Sequence, residues 1–256
     1  MDVNILAIGD VVSGGLEFLS RKLYTIKRHY NIQFTVVNGE NASGTGITPN
    51  QADELFSCGA DVITLGNHTW ARREIERYLD DNHNIIRPAN YAPQVPGYGW
   101  CEVETSYGKI CVINLIGRCS MNFGTENPFF EADKILKQTD AKIKLVDFHA
   151  EATSEKLAMA YYLDGRASAL WGTHTHVQTS DIEVFPNGLG YITDLGMTGA
   201  VRSVIGIVPR SSLNNFLGNP PRRYEQAGGP FKIEGAVFTI DSGSGRCVNV
   251  ESFRIQ

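Results

Sequence analysis

Short apolar runs that each stop at a carboxylate, an amide or an imidazole constrain this chain more than any other feature. "VNILAIGD" ends at Asp10, "QFTVVNGEN" at Glu40 and Asn41, and "DVITLGNH" at Asn67 and His68. "IKLVDFHAE" carries His149, and "ASALWGTHTH" ends on His174 and His176. Runs of this length and β-branched content read as buried strands. Helical patterns alternate with them. Leu16, Leu19, Leu23, Ile26 and Tyr30 recur every three or four residues, one face of an amphipathic helix. Thr48 before Pro49 reads as an N-cap and a first helical residue, with Gly59 as the stop. "ARREIERYLDD" reads as a charged helix that turns Ile75, Tyr78 and Leu79 inward, and further helices are predicted near 129–138 and over 154–163. "KICVINLIG" and "GLGYITDLG" add strands, and "GAVFTIDSGSGRCVNVESFRI" adds two joined by a glycine-serine turn. This alternation predicts an α/β fold with mixed sheets. No repeat or linker divides residues 1–256, which read as one domain. Segment 209–230, with Pro220-Pro221 and Gly228-Gly229, reads as a long loop with a functional or interface role.

In α/β sheets, ligands gather beyond the carboxyl ends of strands. That rule brings together Asp10, Glu40, Asn41, Asn67, His149, His174 and His176, which are scattered along the sequence. In an extended chain His174 and His176 would present their rings to the same side. Carboxylate, amide oxygen and imidazole are ligands for manganese, iron or zinc. Seven candidates are too many for one four-coordinate ion, whereas two ions bridged by Glu40 use them economically. Each residue also has a plainer use: Asp10 as a turn or cap, Asn41 and Asn67 as turn residues, His149 as a hydrogen-bonded core histidine. Repetition at equivalent strand ends is what favours the metal reading. His29 and His83 lack that context and read as surface residues. Gly44 and Gly46 suit a turn or a phosphate cradle, and Arg87 and Arg118 suit structural roles or a phosphate partner. "YITDLGMTG", with Asp194, Gly196 and Met197, has no physical role at this level.

The formal charge of −5 argues against a stable grip on nucleic acid, which needs a basic surface. Five cysteines, an odd number without Cys-x-x-Cys spacing, suit reduced thiols in a cytoplasmic protein. No basic, apolar leader opens the sequence, and no apolar run is long enough to span a membrane. Two other hydrolase classes carry a His-x-His pair. Metallo-β-lactamase-like enzymes follow it with an Asp-His pair, whereas Asp181 here stands alone. Amidohydrolases place it after the first strand, whereas here it comes two-thirds along.

"GNH" at 66–68 and "GTHTH" at 172–176 resemble the blocks of the calcineurin-like metallophosphoesterases, in the same order. Three departures stand out. "GDVVSGG" supplies Asp10 without the usual histidine two residues on, "NGEN" offers Glu40 and Asn41 in place of a bridging aspartate, and Thr69 replaces the common acid after GNH. These fit one branch, the bacterial YmdB-like phosphodiesterases. "NGENASGTGIT", "DVITLGNHTW", "RPANY", "HAEATSEK", "GTHTHVQTSD" and "YITDLGMTG" carry that resemblance along nearly the whole chain. The resemblance implies a four-layer sandwich, two mixed β-sheets packed face to face and flanked by helices. It implies a binuclear phosphodiesterase acting on a small phosphodiester such as a 2′,3′-cyclic nucleotide; from metal-ion chemistry, a hydroxide bridging the two transition-metal ions is the expected nucleophile. Iron is the expected metal, with manganese or zinc as alternatives. By motif position, Asp10, Glu40, Asn41 and His176 would hold one ion, and Glu40, Asn67, His149 and His174 the other. His68 would remain free as general acid. The resemblance and the 209–230 loop together point to a homo-oligomer. The alternative reading is a non-catalytic, metal-binding regulatory protein that keeps the phosphoesterase fold.

Overall fold

Along the first apolar run, Ile5 and Ala7 face one way and Leu6 and Ile8 the other, and all four are buried. A strand apolar on both faces needs cover on both. A computed structural model, which describes residues 1–121, 124–220 and 223–256, shows how that cover is supplied. Strand β1 (Asp2–Ile8) is followed by the two-residue β2 (Asp10–Val11). β1 pairs in parallel with β3 (Phe34–Asn38), which leads to β4 (Val62–Thr64) and β5 (Ile85–Ile86). On its other side β1 takes the antiparallel β13 (Phe231–Asp241), which also pairs with β14 (Cys247–Ile255). The start of β13 holds β12 (Met197–Ala200), and β12 carries β2 alongside, Met197 opposite Asp10. The second sheet runs β10 (Glu183–Val184), β11 (Gly190–Ile192), β9 (Ala169–Thr173), β8 (Ile143–His149), β7 (Gly108–Ile116) and β6 (Trp100–Thr105).

Between the sheets, Ile5, Ala7, Phe34 and Phe238 pack against Val112, Leu145 and Trp171. Outside the first sheet, Leu6, Ile8, Val37 and Ile63 are covered by α1 (Gly15–His29), α2 (Pro49–Cys58) and α3 (Ile75–Asp81). Outside the second, Ile113, Val146, Phe148 and Leu170 are covered by α4 (Pro128–Gln138) and α5 (Thr153–Leu163). The result is the α/β/β/α four-layer arrangement that the resemblance implies.

Thr48 caps α2 as expected: its hydroxyl accepts the Gln51 N–H at 3.4 Å, and Gly59 ends the helix at φ +117°. The charged helix is shorter than its pattern, beginning only at Ile75, and Tyr78 is half-buried with its hydroxyl donating to Asp53 at 2.6 Å. Segment 209–230 is not a loop throughout. Pro209–Phe216 forms α6, whose Leu213 and Phe216 are exposed, so it has no core-facing stripe to announce it; Pro221 lies outside the described residues. Among the described residues, no helix is long and apolar enough to cross a membrane. Asn38 and Thr64, at the ends of β3 and β4, both donate to Asp147 near the end of β8. These bonds draw the carboxyl ends of the two sheets together.

Candidate metal centre

Glu40 stands just beyond β3 with its carboxylate enclosed. Its Oε1 lies 3.2 Å from His149 Nε2, and its Oε2 accepts the backbone N–H of His68 at 3.2 Å. His149 closes β8, and its Nε2 also lies 2.8 Å from Asn67 Oδ1 and 3.1 Å from His174 Nδ1. One ring nitrogen carries at most one proton, yet three acceptor atoms face it. A cation among Glu40, Asn67, His149 and His174 would satisfy all four at once. Gly66 makes room for this approach: a Cβ there would sit 2.2 Å from Glu40 Oε2 and 2.4 Å from His149 Nε2.

A second group adjoins the first. His176 Nε2 lies 3.6 Å from Asp10 Oδ1 and 3.2 Å from the Asn41 amide. Asp10 Oδ2 accepts the backbone N–H of His174 at 3.1 Å, but the buried Oδ1 has no hydrogen-bond partner among the described residues. A buried carboxylate oxygen left unpaired is costly, and a cation would relieve it. Asn41 departs from the expected role, because it turns Nδ2 towards Glu40 and His176. Ligation through its oxygen requires the amide to turn over. The seven expected ligands are thus gathered into two adjoining groups that share Glu40.

Each histidine is held at the ring nitrogen that faces away. The Thr173 hydroxyl donates to Asp147 at 2.7 Å, so at 3.0 Å it must accept from His149 Nδ1, which makes Nε2 the nitrogen that is bare in the neutral ring. His174 Nε2 lies 3.0 Å from the Glu151 carboxylate, and His176 Nδ1 donates to the Ile205 carbonyl at 3.2 Å. In their neutral, metal-ligating form all three rings therefore aim a lone pair into the cluster. The expected extended geometry of the His-x-His pair is not what forms. β9 stops at Thr173, and His174 and His176 take φ of +97° and +63°, a left-handed conformation disfavoured outside glycine. Asp194 holds this turn. Its Oδ2 accepts the Thr175 N–H at 3.2 Å and hydroxyl at 2.7 Å, and takes Lys156 Nζ at 2.9 Å, with both charges buried. Asp194, without a role on sequence alone, thereby gains one.

Electrostatics follow from crowding. Burial raises Asp10 to about 6, against the opposing pull of His176 and His149. Burial also opposes ionisation of Glu40, but the charge and hydrogen bond of His149 outweigh it and hold the carboxyl at about 2. The same pair, against burial, lifts His149 to about 8. Burial and the neighbouring His149 push His174 down to about 3. The cluster thus supplies more acceptors than protons.

The half-buried His68 ring lies close enough for its charge to act on Glu40, and it has no hydrogen-bond partner among the described residues. Arg87 and Arg118 stand apart from the cluster: Arg87 donates to its neighbour's carbonyl at 2.9 Å, and the exposed Arg118 engages Glu155 through its backbone. Gly44 and Gly46 form a turn closed by the Ser43 N–H on the Gly46 carbonyl at 2.9 Å. His29 and His83 are exposed, as expected. Sequence reasoning missed Asp147, Thr173, Glu151 and Lys156. Asp147 was the most visible, a charge inside an apolar strand, two residues before His149. Thr173→Val removes the acceptor that orients His149. It should weaken metal binding about 10–100-fold, as loss of an outer partner does, in competition against a chromogenic chelator. Unchanged affinity would mean that the hydroxyl does not orient the ring.

The model of the YmdB-like protein family matches residues 6–253. This chain belongs to that family. The YmdB-like match spans every residue of the cluster. The 2′,3′-cyclic-nucleotide 2′-phosphodiesterase of Bacillus subtilis is 42% identical over 257 residues, covering 99% of this chain and 97% of that protein. A crystal structure of a hypothetical protein from Thermus thermophilus aligns with a TM-score of 0.93 at 36% identity, over 99% of both chains. That of a novel phosphatase from Mycoplasma pneumoniae aligns with a TM-score of 0.94 at 31% identity, over 100% of this chain and 94% of the other.

Proposed function

We propose that this YmdB-like protein is a binuclear metal-dependent phosphodiesterase that opens 2′,3′-cyclic nucleotides. The observation that carries this reading is the surplus of buried acceptors around His149 Nε2. The 42% identity to a cyclic-nucleotide phosphodiesterase supports the substrate. Glu40, Asn67, His149 and His174 would hold one ion, and Asp10, Glu40, Asn41 and His176 the other. Mixed oxygen and nitrogen donors suit iron, with manganese or zinc as alternatives. When bound, the ions supply Lewis acidity towards phosphoryl oxygens and lower the pKa of water.

The chain's own residues do the rest. Glu40, between the groups, balances positive charge on both sides. His68, whose ring has no hydrogen-bond partner among the described residues, stands as the proton donor to the departing ribose oxygen. Water adds to phosphorus, the bond from phosphorus to the 2′-oxygen breaks, and that oxygen leaves with the proton of His68. The product is a nucleoside 3′-phosphate. A non-catalytic regulator on the same fold would leave the free ring of His68 without a use. Five free cysteines fit a reducing, cytoplasmic setting, and the exposed Leu213 and Phe216 of α6 fit a homo-oligomer.

Incubation with 2′,3′-cyclic nucleotides should yield the monophosphates, with activity abolished by a chelator and restored by iron or manganese. Turnover that persists after complete metal removal would contradict the proposal.

A further inference from the structure

Tyr91 belongs to two neighbourhoods. Its ring meets that of Trp70, two residues past His68, at 4.8 Å between centroids, and burial and then the charge of Glu40 raise its hydroxyl pKa. The same side chain lines a cavity of about 340 Å³ together with Arg87, Tyr98, Trp100, Glu126 and Glu131. That volume lies within the range of small-molecule sites, roughly 300–1,000 Å³. We infer that this cavity seats a guanine base, with Arg87 reading its acceptor edge, Glu126 and Glu131 its donor edge, and the aromatic side chains its faces. The inference rests on the cyclic-nucleotide reading and adds the base to it.

Arg87 motivates the assignment. It is only 5% exposed, yet its guanidinium has no carboxylate within ion-pairing distance among the described residues. Its Nη1 serves the carbonyls of Pro88 and Ala89, at 2.9 and 3.4 Å, and its Nε has no hydrogen-bond partner among the described residues. Glu131 acts on it across the cavity without reaching ion-pairing distance, so the buried Nε still calls for an acceptor from outside the chain. A phosphate would meet two carboxylates in the same cavity and be repelled. A neutral ring with acceptors on one edge and donors on the other suits both. Guanine has that pattern: O6 and N7 match an arginine, and N1–H with the 2-amino group match a carboxylate. Adenine offers neither the O6 acceptor nor the N1–H donor.

The walls are fixed before any ligand arrives. His83 stacks on Tyr98 at 4.1 Å. Buried Asn90 donates to the carbonyls of Ile116 and Glu126, at 2.8 and 2.9 Å, and so anchors the Glu126 backbone. Lys134 holds Glu131 at 2.8 Å. Aromatic faces accept any base, so selectivity must come from the charged edges.

The test is calorimetric titration of the intact protein with guanosine and with adenosine, neither of which carries a phosphodiester. Guanosine should bind at least about tenfold tighter than adenosine, the scale of a hydrogen bond to a charged group. Arg87→Met should abolish that preference. Tyr98→Ala, at an exposed position where folding is not at risk, should weaken both nucleosides about tenfold. Equal binding of the two nucleosides to the natural protein, or no binding of either, overturns the proposal. So does undiminished binding in Tyr98→Ala, even if Arg87→Met fails to fold. Turnover of a base-free diester, bis(p-nitrophenyl) phosphate, by the natural protein tests the phosphodiesterase reading separately. Its failure would leave the nucleoside result intact.

Discussion

His68→Ala should keep its metal and its fold while turnover of a 2′,3′-cyclic nucleotide falls by about 10²–10⁴, the usual contribution of a positioned general acid. The variant tests chemistry cleanly, because His68 touches Glu40 through its backbone N–H, which alanine retains. A ribose alkoxide is a poor leaving group and needs a proton as it departs. Nitrophenolate does not, so the loss should shrink for bis(p-nitrophenyl) phosphate. Metal lost from this variant would make His68 a ligand or a support for one. A rate loss equal on both substrates would assign it to transition-state charge stabilisation instead. Measuring both rates and the metal content on one sample separates the three outcomes.

Glu40→Gln should release both ions. Glutamine keeps the volume but removes the charge that faces His149 at 3.2 Å and sits between the two ligand groups. Breaking a buried charge pair costs about 3–5 kcal/mol, a factor on the order of 10²–10⁴ in the affinity of each ion. His176→Ala touches only the group containing Asp10 and Asn41, so it should weaken chiefly one ion. Elemental analysis after gel filtration distinguishes the patterns. Retention of both ions in Glu40→Gln contradicts a bridging carboxylate.

The ends of β3, β4, β8 and β9 were legible because apolar runs stop abruptly at ligand-type residues, and the carboxyl-end rule converts scattered positions into one place. What stayed hidden depends on contacts made across the fold. The left-handed turn at His174 and His176 is stabilised by Asp194, which lies on the chain beyond β11 and carries no local signal. The plainer use weighed for Asp10, a turn or cap, gives way to extended backbone because Met197 of β12 pairs with it. Strands of two and four residues are too short to show a period. β6 alternates exposed Glu102 and Glu104 with better-covered neighbours, the pattern of an outer strand with one wet face. Asp147 is intelligible only once Asn38, Thr64 and Thr173, from three other strands, are seen around it.

Stepwise metal reconstitution tests the central claim most directly. Protein stripped with a chelator is titrated with ferrous or manganous ion under reducing conditions, and bound metal and turnover are read at each step. Both should rise to a plateau at two ions per chain, with full activity only when the second ion is bound. A plateau of both quantities at one ion per chain, with every metal tried, would contradict a binuclear centre shared by Glu40.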